Sequence, residues 1–147
     1  KQEKIGAKVY LCDTYEGVVK AGERDYFWKG GEVSDTSVGR VEKLLKQFGL
    51  ENFQILKGIF PEDTGHHLIN KKFRMCHIDV DVYQSAKDTL DWVWGKLEVG
   101  GVIVFDDYGH IQCGGITELV EEESEKADRL VIHNLAGHAV MIKISDE

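Results

Sequence analysis

Phe73-Arg-Met-Cys-His-Ile-Asp-Val-Asp81 and Val102-Ile-Val-Phe-Asp-Asp-Tyr108 decide how this chain folds. Each is a mostly apolar, strand-like run that closes on a pair of carboxylates. A strand buried on both faces reads as a hydrophobic run, so carboxylates at its end stand where the sheet meets solvent. In open α/β sheets, ligands bind in the crevice outside those carboxyl ends. Asp79, Asp81, Asp106 and Asp107 converging there repel one another unless a cation or a shared proton relieves them. A hard divalent metal is the economical explanation, because oxygen ligands suit magnesium or calcium. The plainer alternative is a pair of acidic strand-to-helix loops, with one Asp in each serving as a helix cap.

Outward from these clusters, Lys8 to Cys12 reads as a short buried strand that ends at Asp13-Thr14-Tyr15-Glu16-Gly17. Val18 to Asp35 is polar and glycine-containing, with the aromatics Tyr26, Phe27 and Trp28; loops of this length in a domain often act as lids. Val38, Val41, Leu44, Leu45 and Phe48 recur at helical spacing, with Asp35 or Ser37 as N-cap and Gly49 as stop. Phe53 to Phe60 reads as a strand ended by Pro61. After Ile78 a helix is expected with Ser85 as cap, Asp88 at its third position, and Ala86, Leu90, Val93, Trp94 and Leu97 facing the sheet. Gly100-Gly101 should break it, and Val102 to Phe105 is the most clearly buried strand. Ile116, Leu119 and Val120 open an acidic helix through Lys126. Arg129 to Leu135 and His138 to Ile144 flank Ala136-Gly137 as a hairpin. The order β, α, β, β, α, β, α, β, β predicts one α/β domain over residues 1–147, mostly parallel with an antiparallel end.

The chain has 147 residues, 42 % hydrophobic and 30 % charged, which suits a single folded domain with a real core. Its net charge is −8, and Lys71-Lys72 is the longest basic run. That composition speaks against a nucleic-acid or anionic-membrane partner, since phosphate binding needs a concentrated basic surface. Cys12, Cys76 and Cys113 are widely spaced and form no C-x-x-C pair, so neither zinc nor a disulfide framework is expected from them. With no secretory signal and no apolar stretch of spanning length, a cytoplasmic protein is expected.

The motifs Val9-Tyr-Leu-Cys-Asp-Thr-Tyr-Glu-Gly17, Gly58-Ile-Phe-Pro-Glu-Asp-Thr64, His77-Ile-Asp-Val-Asp-Val-Tyr83 and Gly100-Gly-Val-Ile-Val-Phe-Asp-Asp-Tyr-Gly109 occur in that order. They resemble class I S-adenosylmethionine-dependent methyltransferases, and more closely the macrocin O-methyltransferase (TylF-type) family of metal-dependent sugar O-methyltransferases. The resemblance runs from about Val9 to about Glu122 and implies a Rossmann-like methyltransferase sheet. It implies magnesium held by Asp79, Asp106 and Asp107, with the metal holding a substrate hydroxyl and lowering its pKa. It implies that Asp13 binds the ribose hydroxyls of S-adenosylmethionine, with Thr14, Gly17, Gly58 and Phe60 around the cofactor. The implied acceptor is a hydroxylated small molecule, a sugar or a glycosylated natural product.

The sequence departs from that family's pattern in places. The glycine-rich cofactor loop normally follows a strand upstream of Val9, and that segment is not in this sequence. The missing strand would lie between those at Lys8–Cys12 and Arg74–Ile78. Either these two pair directly, or another chain fills the position as in a homo-oligomer, or the sequence is a fragment without activity alone. No His lies in the Gly17–Ser37 loop to serve as general base, and Asp81 is the nearest replacement. Val99 stands where a proline is common.

Among the histidines, His133 and His138 read as structural members of the hairpin, His77 as packed inward, and His110 as able to reach a substrate. A different enzyme class also fits locally: Asp79-Val-Asp81 resembles the nucleophile motif of haloacid-dehalogenase-like phosphatases. That family places the motif on its first strand and needs a Lys near the later acidic pair, whereas no Lys lies between Gly101 and Glu125.

Overall fold

The computed structural model describes residues 6–146. The elements, in chain order, are β1 (Val9–Asp13), α1 (Val38–Gln47), β2 (Phe53–Lys57), a 3-10 turn (Gly65–Leu68), β3 (Phe73–Ile78), α2 (Tyr83–Trp94), β4 (Leu97–Phe105), α3 (Gly114–Ser124), β5 (Arg129–Asn134) and β6 (His138–Lys143). The expected order of strands and helices therefore holds. β1 and β2 form a parallel pair, and the other strands form a mixed sheet in the order β3-β4-β6-β5, with β3 and β4 parallel and the β5–β6 hairpin antiparallel.

The four-stranded sheet carries its core on one face. Ile78, Ile103, Phe105, Ala139 and Met141 point to that face and pack with Ala86, Leu90 and Val93 of α2 and Ile116, Leu119 and Val120 of α3. Side chains alternate along a strand, so their neighbours stand on the opposite face. There Met75, Leu130 and Ile132 are half exposed or more. α1 buries none of its residues. No helix among the described residues is long and apolar enough to cross a membrane.

The structure corrects several boundaries. β2 ends at Lys57, not Phe60: Gly58 takes a φ of 144° and donates its N–H to the Asp13 carbonyl at 3.0 Å. A turn follows in which the Asp63 carboxylate accepts the Ile59 N–H at 2.9 Å. α2 begins at Tyr83 rather than at a Ser85 cap, and the Ser85 hydroxyl instead donates to the Val19 carbonyl at 2.8 Å. Leu97 and Gly100-Gly101 lie inside β4, where the register slips: Phe73 pairs with Leu97, but Met75 pairs with Val102. The extra β4 residues are absorbed as a bulge, with Gly100 at φ 82°. β1 and β3 do not pair directly. Among the described residues β1 pairs with β2 alone and β3 with β4 alone, although the Tyr10 and Phe73 rings meet edge-on at 6.5 Å.

The long segment between β1 and α1 is ordered against the helices. Val18 and Glu32 are joined by a backbone hydrogen bond of 2.9 Å, and Gly31 returns its N–H to the Val18 carbonyl at 2.8 Å. A Cβ on Gly17 would lie 2.1 Å from the Glu32 carbonyl oxygen, so only glycine allows this crossing. Asp25, buried to 3 % exposure, ties the loop to α2 and α3. Trp28 packs on the core, whereas Tyr26 and Phe27 are exposed.

Candidate active site at the carboxyl ends of the strands

The ends of β1, β3 and β4 bring Asp13, Asp79, Asp81, Asp106 and Asp107 close enough for their charges to act on one another. The adjoining register explains it: Ile78 pairs with Phe105, and the Asp106 N–H donates to the Ile78 carbonyl at 2.9 Å. Burial raises the Asp79 carboxyl above the usual carboxylate range, and the charges of Asp106, Asp107 and Asp13 push it further in the same direction. Asp81 is held up to about 6, first by burial and then by Asp107 and Asp79. The backbone contributes as well. Tyr15, Asp81 and Asp107 all take left-handed φ values (57°, 64° and 58°), each just beyond a strand end. Such conformations are costly for residues other than glycine and gather at functional sites.

Most of the predicted residues have a definite local role. Asp13 accepts the Tyr15 N–H at 2.6 Å, and the Thr14 hydroxyl accepts the Glu16 N–H at 3.1 Å and donates to the Gly17 carbonyl. These bonds shape the turn after β1. Gly58 allows Asp63 to approach where a Cβ would meet it at 2.9 Å, and the Phe60 ring packs edge-on against Trp92 at 4.9 Å. Asp106 accepts the Asp107 N–H at 3.0 Å and pairs with His138 Nε2 at 3.0 Å. Cys113 at the start of α3 donates its thiol to Asp81 at 3.7 Å. A cavity of about 500 Å³ opens beside Asp106 and Asp107, walled by the Asp106–His110 turn and the His133–Gly137 hairpin tip. The Tyr108 ring lies 4.2 Å from that of His133 across its mouth.

Mutually repelling carboxylates are the chemistry that a hard cation relieves, so Asp79, Asp106 and Asp107 fit a divalent metal by type. The donor atoms gathered within 4.8 Å of one another are nevertheless other sets: His77 with Asp106 and His138, and Asp107 with His110 and Cys113. This corrects the reading of two histidines. His77 is exposed on the open face of the sheet rather than packed inward, and His138 faces Asp106 rather than serving the hairpin alone. The signal was present in the strand period: His77 and Asp79 share a face, and so do Val104 and Asp106. Sequence reasoning also missed Asp25, whose carboxylate accepts the Tyr83 N–H at 2.9 Å and does for α2 what Ser85 was expected to do.

A sheet with helices on its core face and carboxylates massed at the ends of its parallel strands is a Rossmann-like methyltransferase fold. The O-methyltransferase NovP aligns over 94 % of this chain and 60 % of its own with a TM-score of 0.74 at 22 % identity. The calicheamicin methyltransferase CalS11 aligns over 95 % and 61 % with a TM-score of 0.72 at 16 % identity. The family profile described as Macrocin-O-methyltransferase (TylF) matches residues 2–132, and the chain belongs to that family. Demethyldecarbamoylnovobiocin O-methyltransferase from Streptomyces niveus is 27 % identical over 129 residues, covering 82 % of this chain and 48 % of the relative. An enzyme of Streptomyces olivaceus, 8-demethyl-8-(2,3-dimethoxy-alpha-L-rhamnosyl)-tetracenomycin-C 4'-O-methyltransferase, is 24 % identical over 115 residues, covering 72 % and 44 %. The chain thus spans about half the length of these curated relatives.

Proposed function

We propose that this chain carries the acceptor- and metal-binding part of an S-adenosylmethionine-dependent O-methyltransferase that modifies a hydroxyl of a sugar or glycosylated natural product. The observation that carries the reading is the convergence of Asp13, Asp79, Asp81, Asp106 and Asp107 beside a cavity of about 500 Å³ in a chain of this family. Both curated relatives are named as O-methyltransferases, one of them for a rhamnosyl acceptor.

S-Adenosylmethionine, when bound, supplies an electrophilic sulfonium methyl group. In this reading Asp13 accepts hydrogen bonds from the ribose hydroxyls, with Thr14, Gly17, Gly58 and Phe60 shaping the surroundings. Asp79, Asp106 and Asp107 would hold a divalent cation, magnesium in the first instance, and that cation would supply Lewis-acid help in lowering the pKa of the acceptor hydroxyl. Asp81 takes the hydroxyl proton as the methyl group is transferred. The cavity walls would hold the acceptor oxygen beside the methyl group, and such positioning would supply much of the rate. The edges of β1 and β3 are joined in this reading by a strand from outside the described residues, whether of the same polypeptide or of a second copy.

Isothermal titration with S-adenosylhomocysteine, with and without magnesium, tests it on the longest polypeptide containing this sequence. Binding that tightens with magnesium and weakens in Asp13→Ala is expected. In turnover, Asp81→Asn should lose about 10²-fold or more in kcat, the range typical of a general base. No binding at millimolar ligand, or full activity in Asp81→Asn, would overturn the assignment.

A further inference from the structure

The acidic crevice has a nitrogen-bearing side that the methyltransferase reading leaves unused. In the β3–β4 register His77 pairs with Val104, two residues before Asp106. In the antiparallel β4–β6 ladder Phe105 pairs with Ala139, which sets His138 opposite Asp106. Alternation then turns all three side chains to the same open face of the sheet. One ring nitrogen of each histidine and one carboxylate oxygen of Asp106 lie within 4.8 Å of one another. First-row metals hold nitrogen and oxygen ligands at about 2.0–2.2 Å, so a closure of about 1 Å through side-chain rotation completes the set.

A second observation points the same way. His138 presents Nε2 to Asp106 at 3.0 Å, while its Nδ1 faces the Asn134 amide, 3.2 Å from Nδ2 and 3.4 Å from Oδ1. Histidines that ligate metals are usually oriented by a polar partner on the other ring nitrogen, which fixes ring and tautomer. Asn134 fixes the orientation of the ring, its own Oδ1 being tied to the backbone N–H of Ala136 and His138, each at 3.0 Å. A cation on Nε2 would replace the Nε2–H bond to Asp106 and leave Nδ1–H to point at Oδ1, 3.4 Å away. Asp106 is likewise held by the Asp107 N–H. The ligands come from adjacent strands of one sheet, so their spacing is set by the ladder rather than by a loop.

We propose that His77, Asp106 and His138 form a mixed imidazole–carboxylate metal centre that takes a borderline divalent cation, such as Co²⁺ or Zn²⁺, in preference to Mg²⁺. Imidazole nitrogen favours these ions, whereas magnesium favours oxygen and water. The negative field of Asp79 and Asp107 adds attraction for any cation. Asp106 and Asn134 also line the cavity, which places the ion on its wall. The inference competes with magnesium for Asp106, so both ions bind together only where that carboxylate bridges them; it needs neither cofactor nor acceptor.

The test is a Co²⁺ titration of the chelator-treated protein followed by visible d–d absorption, in the same polypeptide used for cofactor binding. One equivalent is expected, displaced by Zn²⁺ and retained in a large excess of Mg²⁺. His77→Gln and His138→Gln should each weaken binding by about tenfold or more, the usual cost of disturbing such a shell. Asp79→Asn should leave the absorption bands in place. Far-UV circular dichroism and thermal midpoints establish that each variant is folded, and His77, being exposed, tolerates substitution. Absence of Co²⁺ binding, binding indifferent to both histidines, or ready displacement by Mg²⁺ overturns the proposal. Loss of S-adenosylhomocysteine binding with Co²⁺ binding intact would instead overturn the methyltransferase reading and leave this one standing.

Discussion

Asp25 Oδ1 accepts the backbone N–H of Tyr83 at 2.9 Å, so α2 is capped by a residue that lies 58 positions earlier in the chain. Its Oδ2 accepts the Gly22 N–H at 3.0 Å, and Gly115 of α3 approaches so closely that a Cβ there would lie 2.2 Å from Oδ1. One buried carboxylate thereby joins a loop to the starts of two helices, and donors at a helix N-terminus are otherwise unsatisfied.

Removing that carboxylate should destabilise the fold. Asp25→Ala is expected to cost about 1–3 kcal/mol, the range for a lost cap plus buried donors left unpaired. Gly115→Ala should do comparable damage by forcing Asp25 aside. Urea unfolding reads both as a lower midpoint at unchanged slope. An Asp25→Ala variant within about 0.5 kcal/mol of the parent, the range of ordinary surface substitutions, would sink the idea.

Arg129 and Glu123 form a buried ion pair beneath α3, with 8 % and 3 % exposure, and the Arg129 guanidinium stacks 3.8 Å over Trp94. Arg129→Ala leaves the buried Glu123 with Lys126 alone as its ionic partner and takes two bonds from Asp128, and should cost about 3 kcal/mol. The double variant Arg129→Met with Glu123→Leu should recover the share of that loss due to the under-paired Glu123 charge, while the share due to Asp128 persists. Equal destabilisation of the single and double variants in the same unfolding assay would refute this account.

Asp128 gives a pH signature. Two hydrogen bonds from Arg129 and one from Trp94 hold its carboxyl down at about 2. A depressed folded-state value means that the stability it adds is fully present above the ordinary carboxylate value near 3.8. That stability is lost as pH falls through about 2. Asp128→Asn should therefore be less stable than the parent by about 2 kcal/mol at pH 6, with the gap narrowing toward pH 2. A gap independent of pH would show that the effect is not ionic.

Asp107 sits at φ 58° among like charges. Asp107→Gly removes both costs and, measured in chelator, should raise stability by about 1 kcal/mol; under the proposed function it should also abolish methyl transfer. A destabilised Asp107→Gly protein would mean that the backbone strain there is illusory.

How far the sequence could be read depended on the range of the interactions. β1, β3 and the β5–β6 hairpin were legible because apolar period and turn residues are local signals. So was the placing of Asp79, Asp106 and Asp107 at neighbouring strand ends, since strand ends in a parallel sheet share one edge, although their donor atoms do not form one close set. The start of α2 was misread because its cap, Asp25, is remote in sequence. Gly100-Gly101 resembled a helix break, but the bulge against β3 places it within β4. His77 and His138 were misread, as packed inward and as structural, because their meeting with Asp106 depends on two ladder registers at once.

The anchoring of the 18–35 segment also bears on how such proteins diversify. Asp25 is locked beneath the helices and Trp28 against the core, while Tyr26 and Phe27 between them project with 82 % and 55 % exposure. Substitutions at those two tips alter an outward-facing surface without disturbing the frame that holds it. Exchange of side chains there is energetically decoupled from folding, which makes positions 26 and 27 a natural place for selection, or a designer, to vary recognition while leaving the chassis unchanged.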